Sequence, residues 1–305
     1  MLISDLLTQP DGPITGTFRV TAPRCKVSIG GTQYLTLELT DCSGTIRAFG
    51  WPERYTGPTE PGDLSLVKVT GASYLFHERK LVDLHRIEPV TSVAEPVLLI
   101  TPNCCPVIAG VERLRELLER ITVPALRTFN NTLLADDALA LPFLRLPASR
   151  RHHHSFPGGL VTHSQECAEI IADLALDLPR HTRELGMVAA LWHDIGKIKT
   201  LDPRPGAWLT GAVLKHDALT LELLAPALAN LDRDWREGAL MLRYLFTWNK
   251  CGKPGRPLQV IAEAVESADR ISSGLSAERL AFADAEHWKK LAKWQGSRYV
   301  RFGRI

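Results

Sequence analysis

Residues 34–51 read YLTLELTDCSGTIRAFGW, and their alternation decides the fold of the N-terminal part. Leu35, Leu37 and Leu39 fall on one face, with Tyr34, Thr36 and Glu38 on the other. The turn Asp41-Cys42-Ser43-Gly44 leads into Thr45–Trp51, where Ile46 and Ala48 oppose Arg47, Phe49 and Trp51. A period of two on both sides of a tight turn marks a half-buried β-hairpin. Working outward, residues 15–22 and 25–29 are short β-rich runs closed by Gly30-Gly31. After the Pro/Gly-rich stretch 52–63 come two more runs, 64–75 and 80–90. About five short strands with polar turns imply a small antiparallel barrel or sandwich over residues 1–90.

The pattern then changes. Residues 91–109 carry three prolines and no clear period, which reads as a linker. From residue 110 the period is 3.6: Val111, Leu114, Leu117, Leu118 and Ile121 make one helical face, and Pro124 suits the first turn of the next helix. Further helices are predicted at 158–177, 183–197, 213–229, 233–248, 257–274 and 277–293. The expected fold is multi-domain β + α: a small barrel, then an all-α domain over 110–305 that ends in a basic tail.

Composition narrows the function classes. A chain of 305 residues, 45% hydrophobic and 23% charged, is no collagen, coiled coil or disordered chain. No apolar run approaches the ~20 residues of a membrane span. The start, MLISDLLTQPDG, lacks the basic region of a signal peptide, so a cytoplasmic protein is expected. The six cysteines form no CxxC pair and read as reduced thiols. A net charge of +2 conceals a gradient. Residues 1–95 hold nine Lys/Arg against eleven Asp/Glu, whereas Lys289, Lys290, Lys293, Arg298, Arg301 and Arg304 face Glu286 alone near the C-terminus.

Three helices carry the chemistry. In the first, Leu160, His163, Cys167, Ile170, Ile171 and Leu174 share a stripe, which turns His163 inward. In the second, Leu185, Ala189, Trp192, His193 and Gly196 share a face, with Asp194 adjacent. In a later one, Leu258, Ile261, Ala262, Val265 and Asp269 do the same. An inward carboxylate without a partner costs several kcal/mol or takes up a proton. Two histidines and two carboxylates that converge are most simply explained by a cation. Imidazole nitrogen and carboxylate oxygen suit Mn²⁺, Fe²⁺, Zn²⁺ or Mg²⁺, with no thiolate to force zinc.

The local words HHHSFPGGLVTHS around His163, AALWHDIGKIKT around His193 and AVESADRIS around Asp269 resemble the HD-domain metal-dependent phosphohydrolases over about residues 145–275. The N-terminal run of strands resembles an OB-fold, and barrel plus HD domain together are similar to the YhaM-type 3′→5′ exoribonucleases. The phrase LPASRRHHHSFPGGLVTH is also similar to the HD domain of TraI/MobH-type conjugative relaxases. The resemblance implies an all-α domain with His163, His193, Asp194, His216 and Asp269 as ligands of a divalent metal, Mn²⁺ first and Fe²⁺, Mg²⁺ or Zn²⁺ as alternatives. It implies one ion or two, with Asp194 able to bridge a pair. Asp194, Lys197 and His154 are the expected catalytic groups, and His153, His154 and Lys197 the expected phosphate contacts. The chain departs from the family at FTWNKCG, residues 246–252, where Trp248 and Asn249 stand in place of an expected histidine pair. That puts the second ion in question.

Single-stranded nucleic acid is the expected partner. Tyr34, Arg47, Phe49 and Trp51 on the barrel, and Lys289, Lys290 and Lys293 in the tail, offer stacking faces and phosphate contacts. Each set also has a plainer reading, as packing aromatics or solvated lysines. The leading reading is a 3′→5′ exonuclease or related phosphodiesterase acting on single-stranded RNA or DNA. The alternatives are a nucleotide phosphohydrolase, or a non-catalytic TraI-like nucleic-acid-binding protein with a degenerate HD site. A homo-oligomer stays open.

Overall fold

The computed structural model describes all residues except 91–94, 175–176, 204–205, 249–258 and 303–305. Two compact units separate: Met1–Val111 with Leu134–Asp136, and Glu112–Leu133 with Asp137–Ile305.

The first unit opens with α1 (Ile3–Thr8) and continues through β1 (Gly12–Val27), β2 (Gln33–Asp41), β3 (Gly44–Gly50), β4 (Leu66–Phe76) and β5 (Arg79–Pro89). The strands close into a barrel in the order β1-β2-β3-β5-β4, with β3 and β5 parallel over Arg47–Phe49 and Leu81–Asp83 and the other seams antiparallel. This is the five-stranded OB-like barrel expected. Run 15–22 and the first three residues of run 25–29 belong to one long strand, interrupted by a bulge between Thr21 and Arg24, where Ala22 takes a positive φ beside Pro23. The bulge bends β1 so that one strand serves two neighbours, β2 and β4.

The leucine alternation does what its period dictates. Leu35, Leu37, Leu39, Ile46 and Ala48 point into the barrel with Phe18, Val20, Val69, Val82 and Leu84. Arg19 is also buried, donating to the carbonyls of Leu99 at 2.8 Å and Leu64 at 2.6 Å. In residues 91–109 the described part is packed and not loose. Its prolines begin two 3₁₀ turns, Pro96–Leu99 and Pro102–Cys104, and Leu99, Ile100 and Cys104 are buried.

Helices α2 (Gly110–Glu119), α3 (Pro124–Ala135), α4 (Asp137–Arg145), α5 (Gly159–Leu174), α6 (Arg180–Trp192), α7 (Lys197–Thr200), α8 (Ala207–Val213), α9 (His216–Asp234), α10 (Arg236–Phe246) and α11 (Val260–Ala281) follow. Helix α5 packs on α6 and α11, and these three form the frame of the second unit. Trp192, the largest fully buried side chain, locks the end of α6. Its Nε1 donates to Asn130 Oδ1 at 2.7 Å and its ring meets Phe143 at 4.7 Å. Buried Glu184 accepts from the Thr122 and Val123 amides, which start α3.

One expectation fails. The helix predicted at 277–293 does not exist: α11 runs to Ala281, and β6 (Leu291–Trp294) and β7 (Ser297–Val300) form a hairpin. The turn residues Gln295 and Gly296 both take positive φ, the geometry a two-residue hairpin turn needs. Residues 291–300 of the basic tail are therefore a β-ribbon, and Arg304 lies outside the described residues.

Phe18 sits fully buried at the barrel centre. Replacing it with alanine should destabilise the protein by about 3–5 kcal/mol. Urea unfolding would show this as a lower midpoint with an unchanged slope.

Candidate metal centre

Helix α5 presents His163 from its buried stripe, fully enclosed. Helix α6 ends at Trp192, and the turn that follows carries His193 and Asp194 before α7 begins. That turn needs a glycine: a Cβ on Gly196 would lie 2.0 Å from the carbonyl oxygen of His216. Its absence lets the turn sit against the start of α9, with the Gly196 amide donating to Thr220 Oγ1 at 3.0 Å and Thr220 Oγ1 donating to the His193 carbonyl at 3.0 Å. Gly159 does the same for the histidine loop, since a Cβ there would meet the His154 carbonyl at 2.0 Å. Helix α11 brings Asp269.

These pieces converge. His163 Nε2 lies 3.5 Å from Asp194 Oδ2 and 3.2 Å from Asp269 Oδ1. His193 Nε2 lies 3.4 Å and 4.0 Å from the same two oxygens. His216 Nε2 reaches the other oxygen of Asp194 at 3.1 Å, and Asp217 Oδ1 at 3.0 Å. Lys197 Nζ donates to Asp194 Oδ2 at 2.5 Å, so its charge is committed to that carboxylate. The donor atoms of His163, Cys167, His193 and Asp269 lie within 4.8 Å of one another. Cys167 is an addition that the sequence reading did not make, although it stands one turn after His163 on the same stripe. Burial, together with the charges of Asp269 and Asp194, pushes its thiol up, so it lines the site as a neutral group.

Hydrogen bonds fix which nitrogens face the centre. Glu166 is ionised: burial opposes its charge, yet hydrogen bonds from His154 and Ser272 hold it at about 2. An ionised carboxylate only accepts, so the Ser272 hydroxyl donates to Glu166 Oε2 at 2.7 Å. Ser272 Oγ in turn accepts from His163 Nδ1 at 3.0 Å. His163 Nε2 therefore presents a lone pair to two carboxylate oxygens. His193 Nδ1 donates to the Ala190 carbonyl at 2.8 Å, and its buried Nε2 has no hydrogen-bond partner. Imidazole nitrogens and carboxylate oxygens directed at one point make a donor set that fits a divalent metal.

Without an ion the two imidazoles are shifted in opposite directions. Burial holds the His163 imidazolium down, and the carboxylates only partly oppose this. His193 is raised, because Asp194 outweighs the cost of burying its charge. Asp194 stays far below the usual carboxylate range despite burial, held by the charges of His193 and Lys197. Asp269, opposed by burial, is held at about 2 by its close approach to His163. Hydrogen bonds to Asp194 and Asp217 push His216 up to about 9.

The remaining expected groups divide. The His153 ring lies 5.3 Å from that of His163, its Nε2 is buried without a partner, and burial lowers its pKa to about 4. The buried His154 ring also lies 5.3 Å from that of His163, but its Nε2 is turned to Glu166 Oε2 at 3.1 Å and its backbone amide donates to Ser276. Arg279 also donates to Glu166, at 3.2 Å. Trp248 supplies no imidazole; its Nε1 donates to Glu266 at 3.2 Å. Asn249 and Leu258 lie outside the described residues. Sequence reasoning missed Glu166, Ser272 and Thr220, which become neighbours of the site only in the folded chain.

On the barrel, Tyr34 and Trp51 stack with ring centroids 4.4 Å apart, and Phe49 lies 6.3 Å from Tyr34. All three are half-buried, and Arg47 sits 3.6 Å from Glu38. Lys289, Lys290 and Lys293 are exposed. No helix among the described residues is long and apolar enough to cross a membrane.

Because Glu166 titrates lower folded than unfolded, its stabilisation is present above pH 4.5 and is lost as pH falls toward 2. The loss should amount to about 3 kcal/mol. Urea unfolding between pH 2 and 6 should show this acid limb in the parent protein and a flatter one in Glu166→Gln.

Among known proteins, a family profile described as HD domain matches residues 160–274. The 3′-5′ exoribonuclease YhaM of Bacillus velezensis is 26% identical over 258 residues, covering 81% of this chain and 80% of the relative. The protein of that name in Bacillus subtilis is 24% identical over 261 residues, covering 82% and 81%. One in Listeria monocytogenes is 24% identical over 261 residues, covering 81% and 80%. The match and the convergent side chains fall on the same helices: residues 160–274 are an HD domain, and together with the exoribonuclease relatives this supports a metal-dependent phosphodiester hydrolase.

Proposed function

We propose that the protein is a 3′→5′ exonuclease acting on single-stranded nucleic acid, RNA in the first place. The observation that carries the chemistry is the pair of imidazole Nε2 atoms, on His163 and His193, facing Asp194 and Asp269 at 3.2–4.0 Å. Similarity to exoribonucleases over four-fifths of the chain supports the polarity and the substrate.

In this reading His163, His193, Asp194 and Asp269 hold the ion, with His216 as a further ligand from the opposite oxygen of Asp194. Mn²⁺ is the first choice, and Fe²⁺, Mg²⁺ or Zn²⁺ would suit the same donors. When bound, the ion supplies a hydroxide-like nucleophile at neutral pH and polarises a phosphoryl oxygen. The protein does the orienting. Ser272 and Glu166 hold His163 in the tautomer that leaves Nε2 free, and Ala190 does so for His193. Lys197 offsets the charge of Asp194. His153, neutral at pH 7 with an unpartnered ring nitrogen, faces the phosphate. His154 positions Glu166.

The C-terminal hairpin gives a strand somewhere to lie. Lys293 and Arg298 are cross-strand partners on its exposed face, and Ala292 is buried on the other. At its tip the Gln295 amide donates to the Arg151 carbonyl at 2.5 Å and contacts His152, so the ribbon is fastened to the loop that carries His153. The stacked Tyr34 and Trp51 on the barrel offer a second surface suited to bases.

Purified protein loaded with Mn²⁺ should shorten 5′-labelled single strands stepwise. His193→Ala and Asp194→Ala should lose both bound metal, by elemental analysis, and strand shortening, by at least a hundredfold. Hydrolysis of mononucleotides alone would instead make it a nucleotide phosphohydrolase. Binding without metal or cleavage would make it a TraI-like binding protein.

Lys293→Ala with Arg298→Ala should weaken strand binding. The slope of log affinity against log salt should flatten by about 1.4 if each cation contacts one phosphate.

A further inference from the structure

We propose that the cavity beside His216 binds one nucleoside monophosphate unit, with Trp208 as the surface on which its base stacks. This deepens the exonuclease reading and takes the class of ligand from it.

The cavity has a volume of about 570 Å³ and is lined by Arg150, Thr200, Trp208, Lys215 and His216, among others. That size falls within the ~300–1,000 Å³ usual for small-molecule sites. His216 is a shared wall: its ring borders the cavity while its Nε2 is 3.1 Å from Asp194 Oδ1. A ligand in the cavity therefore lies next to the metal centre.

The lining matches a nucleotide in two respects. Arg150 and Lys215 are exposed cations suited to phosphate, and Arg150 is held at the rim by its bond to the Thr200 carbonyl at 3.2 Å. Trp208 lies on α8, a helix with no buried residue, and the residue is 62% exposed. An aromatic ring left in water on the wall of a cavity that also carries two cations lacks the covering that folding gives to Trp192. A nucleobase supplies that covering, and because every base has a π-face, stacking tolerates any sequence, as processive strand shortening requires. An acidic peptide would match the cations but not the bare indole. A second copy of the chain would match the indole but has no need of a phosphate-binding wall against a metal centre.

The unit could arrive as the 3′-terminal residue of a strand or as a free mononucleotide, and one set of measurements separates them. Calorimetry on the Mn²⁺-loaded full chain should show AMP binding at least tenfold more tightly than ribose 5-phosphate. Trp208→Ala should remove that difference, and Trp208→Phe should restore most of it, with metal content equal in all three proteins. Steady-state shortening of RNA should show a KM raised about tenfold by Trp208→Ala. A 3′-terminal abasic residue should produce the same rise in the parent protein and add nothing further in the variant. If AMP affinity falls while the KM for RNA stays put, the site takes the released mononucleotide. If the parent protein shortens no strand but still prefers AMP through Trp208, the site stands and the exonuclease reading falls. Equal affinity for AMP in the parent protein and Trp208→Ala overturns the proposal.

Discussion

A carboxylate with 2% of its surface exposed cannot stand alone, and the arrangement of the helical unit follows from the groups that surround Asp194. Moving such a charge out of water costs several kcal/mol even after relaxation, and only good geometry with several partners offsets it. Four side chains from three elements meet that need. His163 comes from α5, His193 and Lys197 from the turn after α6 and the start of α7, and His216 from the first residue of α9. Each must approach within about 3.5 Å, which explains why residue 196 has no side chain and why α9 begins where it does. Removing any partner leaves part of a buried charge uncompensated, so metal binding and folding are expected to be coupled through this one residue.

A second layer controls the first. Glu166, ionised and nearly enclosed, gathers Ser272, His154 and Arg279, and through Ser272 it dictates the tautomer of His163. The same network accounts for the backbone at His154, whose φ of 47° is unusual for a residue with a Cβ. Its amide is held by Ser276 at 3.0 Å, and its carbonyl accepts from the Ala148 amide at 3.0 Å. Strain of this kind persists only where the surroundings over-determine it. Here it sets the two neighbouring rings, His153 and His154, each 5.3 Å from that of His163.

Much of this was readable from spacing. The alternation in YLTLELTDCSGTIRAFGW gives the pairing of β2 with β3, and the helical stripe through Leu160, His163 and Cys167 correctly turns His163 inward. What spacing cannot show is which distant residues become neighbours. Ser272 and Glu166 are 106 positions apart, and each alone looks like an ordinary polar residue on an amphipathic helix. The hairpin is hidden in the sequence for a different reason. In KKLAKWQGSRYV the residues Leu291 and Trp294 have helical spacing over so short a run that both periods fit. The deciding signal is Gln295-Gly296, a turn pair weaker than Asn-Gly, and its strength comes from the bonds the Gln295 side chain makes to the Arg151–His152 loop.

The departure at residues 246–252 can be weighed electrostatically. Trp248 donates its indole N–H to Glu266 at 3.2 Å and brings no imidazole to the centre. The imidazoles that converge there are those of His163, His193 and His216, set against the carboxylates of Asp194, Asp217 and Asp269. Lys197 Nζ is bonded to Asp194 Oδ2, so one ammonium already offsets part of that negative charge. An ion taken up beside Asp194 has to share this carboxylate with Lys197, and each cation weakens the hold of the carboxylate on the other.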